Sequence, residues 1–131
     1  MKLLDTDVLI DLFHRNPLAL LFIDRQDEAH AELAISAITL VELLGGMRPG
    51  EEERTARLLH QFAVIEIDEA IARQAARFLR TYTRSHRIQT SDALIAATAF
   101  LRGADLVTRN VRHYPMPEVL VIEPYQRGAG D

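Results

Sequence analysis

Short apolar runs alternate along the chain with longer segments whose apolar positions recur at helical spacing. The apolar runs predict five strands: KLL (2–4), ELAIS (32–36), AVIEI (63–67), DLVT (105–108) and VLVIE (119–123). The periodic segments predict six helices, over 8–13, 17–29, 39–47, 51–62, 68–84 and 91–103. Because strands and helices alternate, we expect an α/β fold with three layers, α/β/α, around a central and mostly parallel five-stranded sheet.

The length of the chain is that of a single domain. It has 131 residues, and no repeat or linker-like segment divides it. We expect one domain over residues 1–125 and a flexible C-terminal tail at 126–131, where the sequence ends in RGAGD.

Composition and charge exclude several kinds of site and several classes of protein. The chain has no cysteine, which excludes disulfides, cysteine-ligated zinc and a cysteine nucleophile. Its net charge of −4 lacks the overall basic field of a typical DNA-binding protein. No apolar run reaches the length of a membrane span, and no basic segment leads into an apolar one at the start. We therefore expect a cytoplasmic protein without membrane contact.

Acidic residues fall where strands end or helices begin. Asp5 ends the first strand, Glu42 lies early in the helix after the second strand, and Asp92 lies in the first turn of the last helix. Asn110 follows the fourth strand. In open parallel sheets, sites form beyond the carboxyl ends of the strands, near the switch in strand order. We therefore expect these side chains to meet, provided that the last helix folds back to that edge.

Each acid also has a purely structural interpretation. Thr39 and Glu42 match a capping box, with Thr39 as the N-cap. Asp92 suits a helix N-terminus, and Asp7 suits the N-cap of the first helix. Asp5 is the hardest to explain in this way, because it directly follows an apolar strand.

A cluster of carboxylates predicts a hard divalent cation. Neighbouring carboxylates raise one another's pKa, and a bound cation removes that conflict. Oxygen ligands without cysteine or paired histidine favour Mg²⁺ or Mn²⁺ over zinc, and the five histidines show no H-x₃-H spacing. Such an ion can assist phosphodiester cleavage by water.

Four motifs together resemble the PIN-domain ribonucleases and, within them, the VapC toxins of bacterial and archaeal toxin–antitoxin pairs. They are LLDTDVLID (3–11), SAITLVELLGG (36–46), SDALIAATA (91–99) and LVTRNVRHY (106–114). The resemblance spans residues 3 to about 122 and implies a PIN-like fold. It also implies a metal-dependent endoribonuclease that cuts RNA, often transfer RNA. The implied partners are a cognate VapB-like antitoxin, whose basic side chain fills the acidic pocket, and a second copy in a homodimer.

The resemblance assigns roles to individual residues. Asp5, Glu42 and Asp92 match the family's metal-binding acids, so they are the expected ligands of Mg²⁺ or Mn²⁺. A fourth acid is often found where this chain has Asn110, which leaves open whether one or two metals bind. Hydroxyl groups in matching places are expected to orient the acids; they belong to Thr6, Ser36, Thr39 and Thr108. For Thr6 and Thr39, local turn bonding and capping remain alternatives.

Basic side chains near these acids are candidates for RNA binding. They are Arg109, Arg112, His113 and Arg87, with Arg84 and His86 beside them. Arg109 adjoins the predicted pocket, where we expect it to stabilise charge on the phosphorane oxygens while a water attacks phosphorus. His113 and Tyr114 are candidates for stacking on a base of single-stranded RNA.

Two other functions are compatible with parts of the sequence. LLDTDVL also resembles the first motif of haloacid-dehalogenase-like phosphatases, with Asp5 as nucleophile and Asp7 as acid. That family needs a lysine after a later strand, whereas the lysine of this chain is Lys2. A non-catalytic module that binds RNA or an antitoxin is the second alternative, and Asn110 favours it.

Overall fold

The structure is a computed structural model that describes residues 1–126. Its elements in chain order are β1 (Lys2–Leu4), α1 (Thr6–Phe13), α2 (Pro17–Glu28), β2 (Leu33–Ser36), α3 (Ala37–Gly45), α4 (Glu52–Leu59), β3 (Ala63–Ile65), α5 (Glu69–His86), α6 (Thr90–Arg102), β4 (Asp105–Val107), a 3₁₀ turn (Val111–His113) and β5 (Val121–Ile122). Each predicted strand and helix is present, most of them shorter than the sequence pattern. The expected tail lies outside the described residues, except for residue 126.

The five strands form one sheet in the order β3-β2-β1-β4-β5, and the pairs between neighbouring strands are all parallel. The expected three-layer α/β/α architecture is confirmed. Strand order reverses at β1, which lies between β2 and β4, so the crevice of the fold opens beyond the carboxyl ends of β1 and β4. Of the helices within residues 1–126, none has the length and apolar character needed to cross a bilayer.

Side-chain alternation along β1 divides the core into two layers. Leu3 is fully buried on one face, in a cluster with residues of α5 and α6 such as Phe78 and Ile95. Leu4 is fully buried on the other face, in a cluster with residues of α1, α2 and α4 such as Leu9. The central strand is therefore held from both sides, which fixes the position of the residue that follows it.

A helical hairpin brings the start of α6 to the carboxyl edge of the sheet. α5 ends at Arg87, which adopts a left-handed conformation with φ 52°, and α6 begins three residues later. Ile88, only 3% exposed, anchors the turn in the core of α5 and α6. The fold-back that the sequence required for Asp92 is thus present.

α1 and α3 each begin two residues earlier than the sequence suggested. α1 is capped by Asp5, whose side chain accepts a hydrogen bond from the Thr6 N–H, so Asp7 lies inside the helix and is not its N-cap. α3 is capped by Ser36, whose hydroxyl accepts from the Ile38 N–H at 3.2 Å. Thr39 is therefore an interior helix residue, and the capping-box interpretation of Thr39 and Glu42 is wrong.

Candidate active site

A cavity of about 230 Å³ lies at the crevice beyond β1 and β4. Four acids from three separate helices and their caps line it together with polar side chains; the lining residues are Asp5, Thr6, Asp7, Ile10, Glu42, Gln89, Ser91, Asp92, Asn110 and His113. The structure therefore brings together the three acids that the sequence singled out, and adds Asp7. These acids lie together at one edge of the sheet, as we expected from the sequence.

Asp5 is the most deeply held of the four acids, with 7% of its surface exposed. One carboxylate oxygen accepts from the Thr6 N–H at 2.7 Å. The other accepts from the Thr108 hydroxyl at 2.7 Å and from the Tyr114 hydroxyl at 2.9 Å. Burial raises the pKa of Asp5 above its ordinary value, these three donors oppose the rise, and the charge of Asp92 adds to it. The donors hold the carboxylate in one orientation.

Asp7 carries an unfavourable charge beside Asp5. Burial and then the charge of Asp5 raise the pKa of Asp7 to about 6, although the backbone N–H of Arg109 donates to its Oδ2 at 3.0 Å. Its Oδ1 is buried and has no hydrogen-bond partner among the described residues. A buried carboxylate oxygen without a donor is costly, and a cation or a water molecule would satisfy it.

A chain of hydroxyls links α1 to Glu42. The fully buried Thr39 hydroxyl lies 3.0 Å from that of Thr6, and Thr6 donates to Glu42 Oε1 at 2.7 Å. Thr6 therefore contacts Glu42 directly, and Thr39 contacts it through Thr6. Ser36 instead caps α3, and its hydroxyl is used there.

Asp92 and Asn110 complete the cavity wall. Asp92 Oδ2 accepts from the Gln89 N–H at 2.9 Å, so this acid both caps α6 and faces the cavity. The His113 Nδ1 lies 3.6 Å from the same oxygen. Asn110 is exposed, and its backbone N–H donates to the Thr108 hydroxyl at 3.0 Å.

The donor set suits a hard divalent cation, because it consists of carboxylate oxygens with raised pKa values at Asp5 and Asp7. The carboxylates do not converge in this arrangement: within residues 1–126, no three Asp, Glu or His side chains form a group that could hold a metal ion. Hydrogen bonds hold the three side chains on different sides of the cavity: Asp5 accepts from Thr108, Glu42 from Thr6 and Asp92 from Gln89. The chemistry of the residues fits a metal, and coordination would require the carboxylates to rotate towards one another.

The basic residues divide into two groups. Arg87, Arg112 and His113 are exposed, and His113 lines the cavity. Arg109 points inward, with only 20% of its side chain exposed, and its Nε lies 2.6 Å from Asp11 Oδ2. The Nε–H is not directed at that oxygen, so this is a charge contact; the directed hydrogen bond runs from Nη2 to Asp11 Oδ1 at 3.4 Å.

Sequence reasoning missed two functional candidates. Tyr114 is 4% exposed and donates to Asp5, so the suggestion that it stacks on a base is wrong, because its ring is inside the core. Asp11 is 3% exposed and interrupts an apolar helix segment, and that buried position was the signal available in the sequence. Its partner lies 98 residues away, beyond the reach of any local pattern.

Known proteins resemble this chain over most of its length. A family model described as PIN domain matches residues 2–118. Ribonuclease VapC19 of Mycobacterium tuberculosis is 38% identical over 117 residues, covering 88% of this chain and 94% of that protein. Ribonuclease VapC10 of the same species is 49% identical over 89 residues, or 67% of each chain. Among solved structures, a toxin–antitoxin complex from Klebsiella pneumoniae superimposes with a TM-score of 0.78 at 32% identity, covering 97% of this chain and 100% of that one.

Proposed function

The chain belongs to the PIN-domain family, and from that premise we propose that it is the toxin of a toxin–antitoxin pair, an endoribonuclease that cuts RNA with a divalent metal held by carboxylates. The observation that carries the proposal is the cavity at the β1–β4 crevice, which is lined by four acids from three helices and their caps. Ribonuclease activity is supported by relatives named as ribonucleases that match 67% and 88% of this chain. The metal and the choice of transfer RNA are the finer parts of the proposal.

Asp5, Glu42 and Asp92 are the proposed ligands of Mg²⁺ or Mn²⁺. When bound, such an ion supplies Lewis-acid activation of water and neutralises charge at the phosphodiester. The raised pKa of Asp5 supports this assignment, since a cation would relieve the unfavourable burial of its charge.

The protein's own groups orient the acids and the reacting water. Thr108 donates a hydrogen bond to Asp5, and Thr6, itself in contact with Thr39, donates one to Glu42, so these hydroxyls limit the orientations that the two carboxylates can take. Asn110 lies at the rim of the cavity, where its side-chain amide can hydrogen-bond a water or a phosphate oxygen.

Exposed cations at the rim form the proposed RNA-binding surface. Arg112 and His113 lie on the 3₁₀ turn, and Arg87 lies two residues before Gln89, which lines the cavity. Phosphates bound by these side chains would approach the acids despite the net charge of −4. Arg109 belonged to the same expected set, but its inward ion pair with Asp11 supports a different role.

The proposed antitoxin contact combines apolar and charged surface. An apolar groove of about 260 Å³ between α1, α3 and α4 is lined by residues such as Phe13 and Met47, and it shares Ile10 and Glu42 with the acidic cavity. An antitoxin segment with apolar side chains followed by a basic one would fill both. The similarity to a toxin–antitoxin complex supports this partner.

The homodimer and the cytoplasmic location complete the proposal. Val41 and Leu44 on α3 are 64% and 48% exposed, and Phe100 and Leu101 on the neighbouring α6 are 39% and 42% exposed. Exposed apolar side chains on adjoining helices favour self-association. Sedimentation equilibrium of the isolated toxin tests it. The proposed cytoplasmic location follows from the proposed RNA substrate.

Cleavage of a transfer RNA pool with Mn²⁺, with and without a chelator, tests the proposed activity. Glu42→Gln is the sharpest variant, because Glu42 is exposed and its loss should leave the fold intact. Glu53→Gln, on the exposed side of α4, is the matched control. We expect cleavage by wild type and Glu53→Gln, and its loss in Glu42→Gln or with chelator. RNA binding without cleavage in every sample would support the non-catalytic module.

The structure does not support the phosphatase alternative, because the lysine of this chain lies away from Asp5. Lys2 begins β1, at the end of the strand away from the cavity, and its Nζ donates to Gln26 Oε1 at 2.5 Å. It therefore does not reach Asp5. The absence of aspartyl-phosphate on incubation with phosphate monoesters would confirm this.

A further inference from the structure

Asp11 is a buried carboxylate that the proposed chemistry does not use. It lies on α1 one helical turn after Asp7, so both side chains leave the same face of the helix. Among residues 1–126, the side chains of Arg109 and Tyr125 contact it from distant parts of the chain. The guanidinium of Arg109 forms an ion pair with it, and the Tyr125 hydroxyl donates to Asp11 Oδ2 at 2.8 Å.

The segment after β4 is fastened to α1 at successive points. The Thr108 hydroxyl donates to Asp5, and the backbone N–H of Arg109 donates to Asp7 at 3.0 Å. The Arg109 guanidinium then reaches Asp11. Arg109 therefore spans one turn of α1, with its backbone on one acid and its side chain on the next.

We propose that Asp11 is a positioning residue, which holds Arg109 and thereby places the segment 108–110 against the acidic cavity. This inference rests on the proposed function of that cavity. The guanidinium meets both carboxylate oxygens of Asp11, with Nε 2.6 Å from Oδ2 and Nη2 donating to Oδ1 at 3.4 Å, so the pair restricts where Arg109 can lie. Asn110 follows directly, so the same contact sets where its side chain enters the cavity.

Arg109 accordingly acts through its backbone and its neighbours. Its side chain is 20% exposed and is engaged with Asp11, whose own side chain is 3% exposed. Its guanidinium is therefore less open to a phosphate than that of the exposed Arg112. Contact with RNA falls instead to Arg112 and His113, which are exposed on the adjoining turn.

Steady-state cleavage kinetics separate positioning from phosphate contact. We compare Asp11→Asn, Arg109→Met and the double variant with wild type, and use Asp24→Asn, an exposed acid on α2, as the matched loss of charge. Positioning predicts that each single variant lowers kcat by about 10- to 100-fold, with KM changed less than about twofold, because small displacements near reacting groups have effects of this size. The double variant should be no worse than either single one.

RNA affinity distinguishes positioning from direct phosphate contact by Arg109. It is measured in a Glu42→Gln background, which does not cleave the RNA. Arg109→Met should leave the affinity within about twofold of that background, because a guanidinium held by Asp11 does not neutralise a phosphate. Arg112→Met, which removes an exposed cation of the rim, should weaken binding and is the positive control. Weaker RNA binding in Arg109→Met, with Asp11→Asn unaffected or tighter, would overturn the proposal.

Amide hydrogen exchange tests the positioning without any activity. The Arg109 N–H, which donates to Asp7, should lose at least about tenfold of its protection in Asp11→Asn, while Ile95 in the core of α6 changes little. Equal loss at both amides, or no loss at Arg109, would show a role in overall stability only and overturn the inference. If Asp11→Asn does not fold, Tyr125→Phe removes a single donor to Asp11 and should reduce protection at Arg109 selectively. Failure of wild type to cut any RNA would refute the proposed function, while this exchange measurement would still decide the role of Asp11.

Discussion

Removing the hydroxyl of Tyr114 tests how Asp5 is kept charged. Tyr114→Phe deletes one donor to the buried carboxylate and leaves the ring in the core. A hydrogen bond to a charged group contributes about 1.5–3 kcal/mol. Thr108 still donates to the same oxygen, so we expect a loss near the lower end, about 1.5–2 kcal/mol at pH 7. For a domain of this size that corresponds to a fall in Tm of roughly 5–8 °C.

The pH dependence distinguishes the hydrogen bond from packing. The hydroxyl stabilises the ionised form of Asp5, whose pKa is already raised by burial. Its loss raises that pKa further, so the difference between Tyr114→Phe and wild type is full above the folded pKa values and shrinks as pH falls below them. Urea unfolding of both proteins at about pH 7 and at about pH 3, which is below the ordinary pKa of an aspartate, measures it in the presence of chelator. A stability loss of the same size at both pH values would refute this account, because a packing defect would not depend on the charge of Asp5.

The remaining predictions address the other groups around the cavity. The pKa of Asp7 is raised from 3.8 to about 6 in the folded protein, so folding favours the protonated form of Asp7. The stability that this provides is fully present below pH 3.8 and is lost as pH rises through 6. The free energy of unfolding of the chelated protein should therefore fall by about 2–3 kcal/mol between about pH 4 and 7, and urea titrations showing no such fall would contradict this prediction. Ile10→Ser, in the groove, should weaken antitoxin binding about tenfold by calorimetry through loss of apolar contact, whereas Leu21→Ser, equally exposed on α2, should not. Thr39→Val should lower stability by about 1 kcal/mol because it removes the buried hydroxyl contact with Thr6; chemical denaturation that shows no loss would argue against that contact.

The sequence predicted the layers of this fold because each element carries its own pattern. The fully buried Leu3 and Leu4, and the apolar face of α5, could be assigned from periodicity alone. The exact helix starts could not, since Asp5, Asp7 and Ser36 are all good N-cap residues and tertiary contacts decide among them. Because Ser36 and not Thr39 is the N-cap, α3 begins two residues earlier than the sequence pattern predicted.

The acids were predictable, and much of what surrounds them was not. Asp5, Glu42 and Asp92 each sit at a position that topology sends to one edge of the sheet. The hydroxyl of Tyr114 reaches Asp5 across 109 residues of chain, and no local signal separates it from any other aromatic residue before a proline. Arg109 was expected to contact phosphate because its charge can be recognised in the sequence. Its ion pair with the buried Asp11 could not be predicted from the sequence.

The seam between β1 and β4 has a consequence for the biosynthesis of this protein. The ribosome makes β1 first, yet the strand beside it and the groups that orient Asp5 emerge about a hundred residues later. A partly translated chain carries the acids of α1 and α3 without the hydroxyl groups that orient Asp5. The growing polypeptide therefore cannot complete the proposed active site until translation of the domain is nearly complete.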